Sequence, residues 1–245
     1  MADLEDAVAQ PEKDAARALV LEVFATTPIA ARPLRLVRVN AVGTPFFAED
    51  LAMAVSAGAD AIVLPKATPD AVDELGAGGP PIVAIVETAQ GVRQSYEMAA
   101  KQRVVALQIG AVDLGAEVGL ESRPDGQELV YVRSKVVLDS VAAGIRTPFD
   151  VVHVDILDDE GLGAECRLAR TLGFRGKACI HPRQIAIVNG AFTPTGTEIE
   201  WAHRVVDAYE TATAAGRGVL AVSGTMVDLP VVERARRVLA DADRR

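Results

Sequence analysis

Aromatic side chains make up only 4% of this 245-residue chain, although half of its residues are hydrophobic. A core short of Phe, Tyr and Trp is filled by Val, Leu, Ile and Ala, which suit parallel strands and the helices that cover them. Cysteine is nearly absent. Cys166 and Cys179 are the only two, without close pairing or metal-type spacing. That excludes a disulfide framework and is read as two buried free thiols in a reducing cytosol. No stretch approaches the roughly 20 apolar residues of a membrane span. Positive charge is also short: the formal net charge is −9 and the pI near 4.9, which argues against a sequence-independent grip on nucleic acid or on an anionic membrane. The N-terminus, Met1-Ala2-Asp3-Leu4-Glu5-Asp6, is acidic where a secretory signal is basic. The expectation is a cytoplasmic protein with neither nucleic-acid nor membrane partners. Gly-rich dinucleotide fingerprints and phosphate loops are missing after every candidate strand, which disfavours a nucleotide-binding open sheet.

What is present is a regular alternation. Short apolar runs bounded by turn residues predict strands over Leu34–Asn40, Ala61–Lys66, Ile82–Glu87, Val104–Asp113, Val151–Ile156 and Lys177–His181. Helical periodicity falls between them, over Pro11–Phe24, Phe46–Ala57, Thr88–Ala100, Tyr131–Ala143 and Leu162–Leu172, with Gly58, Gly144 and Gly173 as C-terminal stops. Units of this size, in a chain of this length, predict an α/β fold of the TIM (β/α)8-barrel type. Beyond Pro194 the pattern changes: a helix over Glu198–Ala214, a Gly-containing loop to Gly224 and an Arg-rich helix over Leu229–Ala242. The expected division is therefore a barrel over 1–193 and a helical lid or oligomerisation extension over 194–245.

Two of the predicted strands run straight into a lone carboxylate, Ile82–Val86 into Glu87 and Gln108–Val112 into Asp113. An acid at the C-terminal end of a buried strand sits where a barrel opens to solvent. Two such ends suit one hard cation such as Mg²⁺, which takes few protein carboxylates and leaves its other positions to water and substrate oxygens. Each acid alone equally well caps a strand or begins a helix; the repetition points to a site. The other predicted strand ends also carry chemistry: Glu5-Asp6, Arg38, Lys66, Asp155 and His181. Arg38 equally pairs structurally with Glu5 or Asp6, Lys66 equally lies on the surface, and His153 reads as a histidine that packs or hydrogen-bonds within the barrel.

The elements Asp3-Leu4-Glu5-Asp6-Ala7-Val8, Val37-Arg38-Val39-Asn40, Leu64-Pro65-Lys66, Val86-Glu87-Thr88-Ala89-Gln90-Gly91, Gly110-Ala111-Val112-Asp113-Leu114, Cys179-Ile180-His181-Pro182 and Gly224-Thr225-Met226-Val227-Asp228-Leu229-Pro230 stand in that order along the chain. In this set the sequence resembles the citrate lyase β-subunit-like branch of the HpcH/HpaI aldolase superfamily, over essentially its whole length. The resemblance implies a Mg²⁺-dependent carbon–carbon lyase that cleaves or condenses a CoA thioester such as citryl-, malyl- or citramalyl-CoA. It implies Glu87 and Asp113 as metal ligands, and Glu5 and Asp6 as partners of metal-bound water. Arg38 would grip an α-keto acid and stabilise its oxyanion, supported by Lys66, with His181 toward the substrate. Asp228 would be the acid/base, delivered from a neighbouring subunit of a homotrimer or hexamer.

Two departures qualify the resemblance. Relatives carry a strand and helix ahead of the stretch matching Asp3–Val8, so the barrel is expected to lack its first βα unit. Val112 stands where many relatives have Glu; strand alternation turns it toward the helices and Asp113 inward. Two alternatives follow, a CoA-independent class II aldolase acting on hydroxy-keto acids and a non-catalytic, ligand-binding paralogue.

Overall fold

Five short apolar segments form one parallel sheet in strict chain order: β1 Ala2–Asp3, β2 Leu36–Arg38, β3 Ala61–Leu64, β4 Ile82–Val86 and β5 Val104–Ile109. Helices fill the connections: α1 Lys13–Thr26, α2 Phe47–Ser56, α3 Pro69–Glu74, α4 Ala89–Arg93 with α5 Ser95–Ala99, then α6 Ala111–Val118 with α7 Val130–Ala142. Strands that pair in sequence order, each followed by helix, have the winding of a (β/α) barrel; doubly wound sheets reverse their order. The computed structural model describes residues 1–26, 33–214, 220–222 and 224–243.

Two isolated parallel bridges, Gln108 with Phe149 and Asp150 with Lys177, carry the order two positions further. The strands expected over Val151–Ile156 and Lys177–His181 are reduced to these bridges. Among the described residues no ladder pairs the far edge of Lys177, and a one-sided ladder gives the chain little reason to stay extended. The segments are held instead by buried charges. Arg133 of α7 donates to Asp150 at 2.8 Å, and Lys177 reaches Asp150 at 3.1 Å and Glu165 at 2.6 Å. Glu165 lies on α8, Asp159–Leu172. His153 Nδ1 lies 2.9 Å from Glu165, an internal hydrogen bond of the kind expected for it.

β3 and β4 are buried on both faces. On one face Ala61, Val63, Val83, Ile85 and Ala106 form a cluster flanked by Leu36. On the other, Ile62, Leu64, Ala84 and Val86 are fully covered. Each of the larger side chains contributes roughly 1.5–3 kcal/mol by leaving water. The glycine stops stand where expected; Gly173 ends α8 at φ 106°, a left-handed backbone a side chain rarely adopts.

The chain divides into two compact units at 185/186. The boundary lies within α9, Gln184–Phe192, eight residues before the division read from sequence. The second unit continues with α10 Gly196–Ala214, an antiparallel hairpin of β6 Leu220–Val222 and β7 Thr225–Val227, and α11 Leu229–Ala242. The expected loop before Gly224 thus includes a strand, apart from residues 215–219 and 223, which lie outside the described residues. Ala202, Val205, Val227, Val232 and Ala235 form the core of this unit, and Arg234 covers the Trp201 ring at 5.3 Å. No helix among the described residues is long and apolar enough to cross a membrane.

Candidate active site

Five consecutive strands bring six charged side chains to one end of the sheet, at their ends or just beyond them. Asp3 closes β1, and Glu5 follows in the turn that the Val8 amide closes on the Glu5 carbonyl at 3.1 Å. Arg38 closes β2 and stays on the inner face begun by Leu36. Its guanidinium is bidentate to Asp3, Nε to Oδ1 at 2.8 Å and Nη2 to Oδ2 at 2.6 Å. Nη1 lies 2.8 Å from Glu5 Oε2, as an ion pair without hydrogen-bond alignment, so this buried oxygen has no hydrogen-bond donor. Burial opposes the charge on Arg38, but the hydrogen bond to Asp3 and the charges of Asp3, Glu5 and Asp6 outweigh it and raise its pKa. Burial likewise opposes ionisation of Asp3, and the Arg38 hydrogen bond together with the Glu5 amide brings its pKa below the usual carboxylate value.

Lys66 follows β3 with φ at 47°, the only non-glycine residue with positive φ among those described. A left-handed lysine costs about a kcal/mol or more and persists only where its surroundings hold it. Here it aims the Lys66 amide at Glu87 Oε1, 2.6 Å away, while Nζ reaches Glu5 Oε1 at 2.8 Å and Asp113 Oδ1 at 3.7 Å. Burial opposes the ammonium charge, but the Glu5 hydrogen bond and the charges of Glu5, Glu87 and Asp113 outweigh it and raise the Lys66 pKa.

Glu87 directly follows β4 and is 3% exposed. Burial pushes its carboxyl up to about 7; the Lys66 amide opposes this, and the charges of Asp113 and Glu5 add to it. The space beside it exists because residue 110 is glycine. A Cβ there would lie 2.4 Å from Glu87 Oε2 and 2.6 Å from its Cβ. Thr88 then caps α4 by accepting the Gly91 amide at 2.9 Å, which turns the chain away behind the acid.

Asp113 stands in the first turn of α6, not at the end of a strand. β5 stops at Ile109, opposite the last residue of β4, and the helix begins at once. Val112 is therefore not turned toward covering helices; it lies on α6 and is 61% exposed. Asp6 is exposed beside the cluster. His181 is exposed, its Nδ1 accepting the Arg183 amide at 3.2 Å, and it shares no hydrogen bond or ion pair with the cluster among the described residues. Asp228 belongs to the second unit, where it caps α11 by accepting the Val231 amide at 3.4 Å.

Residues 1–182 match the family model described as HpcH/HpaI aldolase/citrate lyase. The chain belongs to the HpcH/HpaI aldolase/citrate lyase family. Within this family it is 41% identical over 254 residues to the citrate lyase subunit beta of Leuconostoc mesenteroides subsp. cremoris, covering 98% of this chain and 83% of that protein. It is 40% identical over 244 residues to a (3S)-malyl-CoA thioesterase of Cereibacter sphaeroides, covering 98% and 85%. Among solved structures it resembles the protein CitE of Mycobacterium tuberculosis in complex with magnesium, acetoacetate and coenzyme A, with a TM-score of 0.84, 38% identity and coverage of 98% and 88%. These neighbours have the TIM-barrel-type fold read from the sheet order.

The family's metal can be tested against the donors present. Four carboxylates, Asp3, Glu5, Glu87 and Asp113, gather around two cations, Arg38 and Lys66. The cluster therefore carries an excess of two negative charges when all are ionised, which a divalent ion would neutralise. One buried carboxylate oxygen, Glu5 Oε2, lacks a hydrogen-bond donor. No group of three or more His, Cys, Asp or Glu side chains able to hold a metal occurs among the described residues, and Mg²⁺ needs only one or two protein carboxylates when water and substrate supply the rest. The residues fit the ion. Asp3 has no role in the sequence reading beyond its place in the first motif, because nothing in sequence shows that it clamps Arg38.

Proposed function

We propose that this chain is a Mg²⁺-dependent carbon–carbon lyase that cleaves or forms a β-hydroxyacyl-CoA of the citryl, malyl or citramalyl type. The observation that carries the reading is the cluster itself: a buried carboxyl raised to about 7, beside an arginine clamped by two acids, at the end of the sheet where (β/α)-barrel chemistry takes place. The relatives named (3S)-malyl-CoA thioesterase and citrate lyase subunit beta, and the CitE complex with magnesium, acetoacetate and coenzyme A, support the substrate class.

Glu87 and Asp113 would hold the ion, with Glu5 and Asp6 accepting hydrogen bonds from its waters. When bound, Mg²⁺ would supply Lewis-acid stabilisation of negative charge on the keto-acid oxygens. Two of the five Arg38 donors are taken by Asp3, and those that remain can grip a keto-acid carboxylate and the developing oxyanion. In the cleavage direction a base takes the proton from the substrate hydroxyl. The bond from the hydroxyl-bearing carbon to the thioester α-carbon breaks, the carbinol becomes the carbonyl of the released 2-oxo acid, and the electron pair passes to the thioester enolate, which is reprotonated to acyl-CoA. Preorganised donors such as Arg38 are worth several kcal/mol at the oxyanion. Lys66 would hold Glu5 and screen the acids from one another.

Asp228 would be the acid/base, supplied by the extension over 194–245 of a neighbouring subunit in a homotrimer or hexamer. His181 would contact the CoA side of the substrate. The protein would work in the cytoplasm, where its two thiols stay reduced.

The test is acyl-CoA release from malyl-, citramalyl- and citryl-CoA by the purified chain, with Mg²⁺ and with chelator. Chelator-sensitive cleavage is expected. Cleavage of free hydroxy-keto acids in preference to thioesters would move the assignment to a CoA-independent aldolase, and no cleavage by a folded chain would refute the lyase reading.

A further inference from the structure

Lys13, the first residue of α1, is buried at 5% exposure. No carboxylate lies within ion-pair distance of its ammonium among the described residues. All three of its donors go instead to neutral oxygens: the carbonyl of Leu4 at 2.5 Å, the carbonyl of Glu5 at 2.7 Å and Asn40 Oδ1 at 2.9 Å. The Phe46 ring covers the charge at 5.6 Å. Asn40 stands two residues beyond Arg38; its Nδ2 donates to Leu4 O at 2.8 Å and to Asp50 Oδ2 at 2.5 Å, and Arg17 holds the other oxygen of the buried Asp50 at 2.8 Å.

From this wiring we infer that Lys13 is a positioning residue for the active site. A buried cation is costly, and where only packing is required an apolar side chain of similar length fills the space at less cost. What the ammonium does that a methionine cannot is tie three acceptors together: two successive carbonyls of the Leu4–Glu5 turn and the Asn40 side chain, two residues beyond Arg38. Leu4 carries the main chain between Asp3, which clamps Arg38, and Glu5, which pairs with both Arg38 and Lys66. Lys13 thus fixes the turn that sets where the Glu5 and Asp6 carboxylates stand relative to Arg38. It touches no reacting atom; it acts through Glu5 and Asp6. The inference rests on the metal-dependent reading of the cluster and deepens it.

Supporting partners behind metal-site ligands typically change metal affinity or activity 10- to 100-fold when removed. Lys13→Met is expected near the lower figure, about tenfold in Mn²⁺ affinity, measured without substrate from the electron paramagnetic resonance signal of free Mn²⁺. A fall of about tenfold in kcat with KM within about twofold is expected beside it. A folded Lys13→Met chain with parental Mn²⁺ affinity and kcat overturns the inference, since a purely structural lysine would lower only the melting temperature. Should Lys13→Met fail to fold, Lys13→Gln decides in the same titration. Its amide keeps donors for two of the three acceptors; parental affinity in that folded variant overturns the inference, and weakened affinity supports it. A parent chain that binds Mn²⁺ but cleaves no thioester defeats the lyase reading and leaves this result standing. A parent chain that binds no Mn²⁺ overturns both.

Discussion

Glu87→Gln should make the metal-free protein more stable above neutral pH and leave it unable to work. The Glu87 carboxyl is raised from 4.5 to about 7, with burial as the largest cause. Unfolding returns it to water, where it ionises near its ordinary value. Between pH 4.5 and 7 the folded chain therefore holds a proton that the unfolded chain has lost, so stability falls as pH rises through this window and levels off above it. The rise from 4.5 to about 7 corresponds to about 3 kcal/mol at roughly 1.36 kcal/mol per pK unit. Glutamine has the shape of the protonated acid, and its carbonyl oxygen can still accept the Lys66 amide now 2.6 Å from Oε1. At pH 8.5 in chelator the variant should gain about 3 kcal/mol, or about 6–12 °C in melting temperature for a chain of this size. At pH 5 most of the gain should be gone. Thermal melts by circular dichroism at both pH values measure the difference. An equal gain at both, or none at pH 8.5, would refute the argument that buried, surplus negative charge is stored at Glu87. The same variant should lose chelator-sensitive turnover, because the strain relieved is the charge that a divalent ion would neutralise.

Gly110→Ala should displace Glu87, since the added Cβ would meet it at 2.4 Å; a fall of about tenfold or more in Mn²⁺ affinity is expected, checked by titration alongside a melt. Arg38→Lys keeps a positive charge but loses the bidentate grip on Asp3, so kcat should fall about 100-fold or more while the circular dichroism spectrum stays native. Asp228→Ala should bind acyl-CoA with little turnover, and mixing it with an Arg38→Ala chain should restore part of the activity through mixed oligomers; assay of co-refolded chains against each variant alone reads this, and no recovery would count against catalysis across subunits.

Several elements were legible because a local cause sufficed. β3 and β4 read as unbroken apolar runs because both their faces are buried. The helix over Leu229–Ala242 was read to its exact ends because Asp228 caps it and Pro230 sits in its first turn, where its missing amide costs nothing. The apolar run Val104–Asp113 misled. Periodicity alone does not separate a buried strand from the start of a helix, and β5 ends at Ile109 because β4, its hydrogen-bonding partner, ends beside it at Val86. That is a tertiary cause, and it moves Asp113 onto a helix and Val112 into solvent. The strand expected over Lys177–His181 shrank for a related reason, since among the described residues it pairs on one side alone and has half the backbone hydrogen bonds to hold it extended.

By itself the sequence determined the barrel-type alternation, the family and the row of polar strand ends, because side-chain period and local capping are written within a few residues of each position. Only the tertiary structure decided which of those ends share a site. It closed Asp3 on Arg38, turned the Lys66 amide onto Glu87, left a Glu5 oxygen without a donor and tied the whole turn to Lys13. Each of these depends on burial and on distances between residues far apart in the chain. Electrostatic energy is set by those distances and by the missing water, neither of which a linear sequence carries.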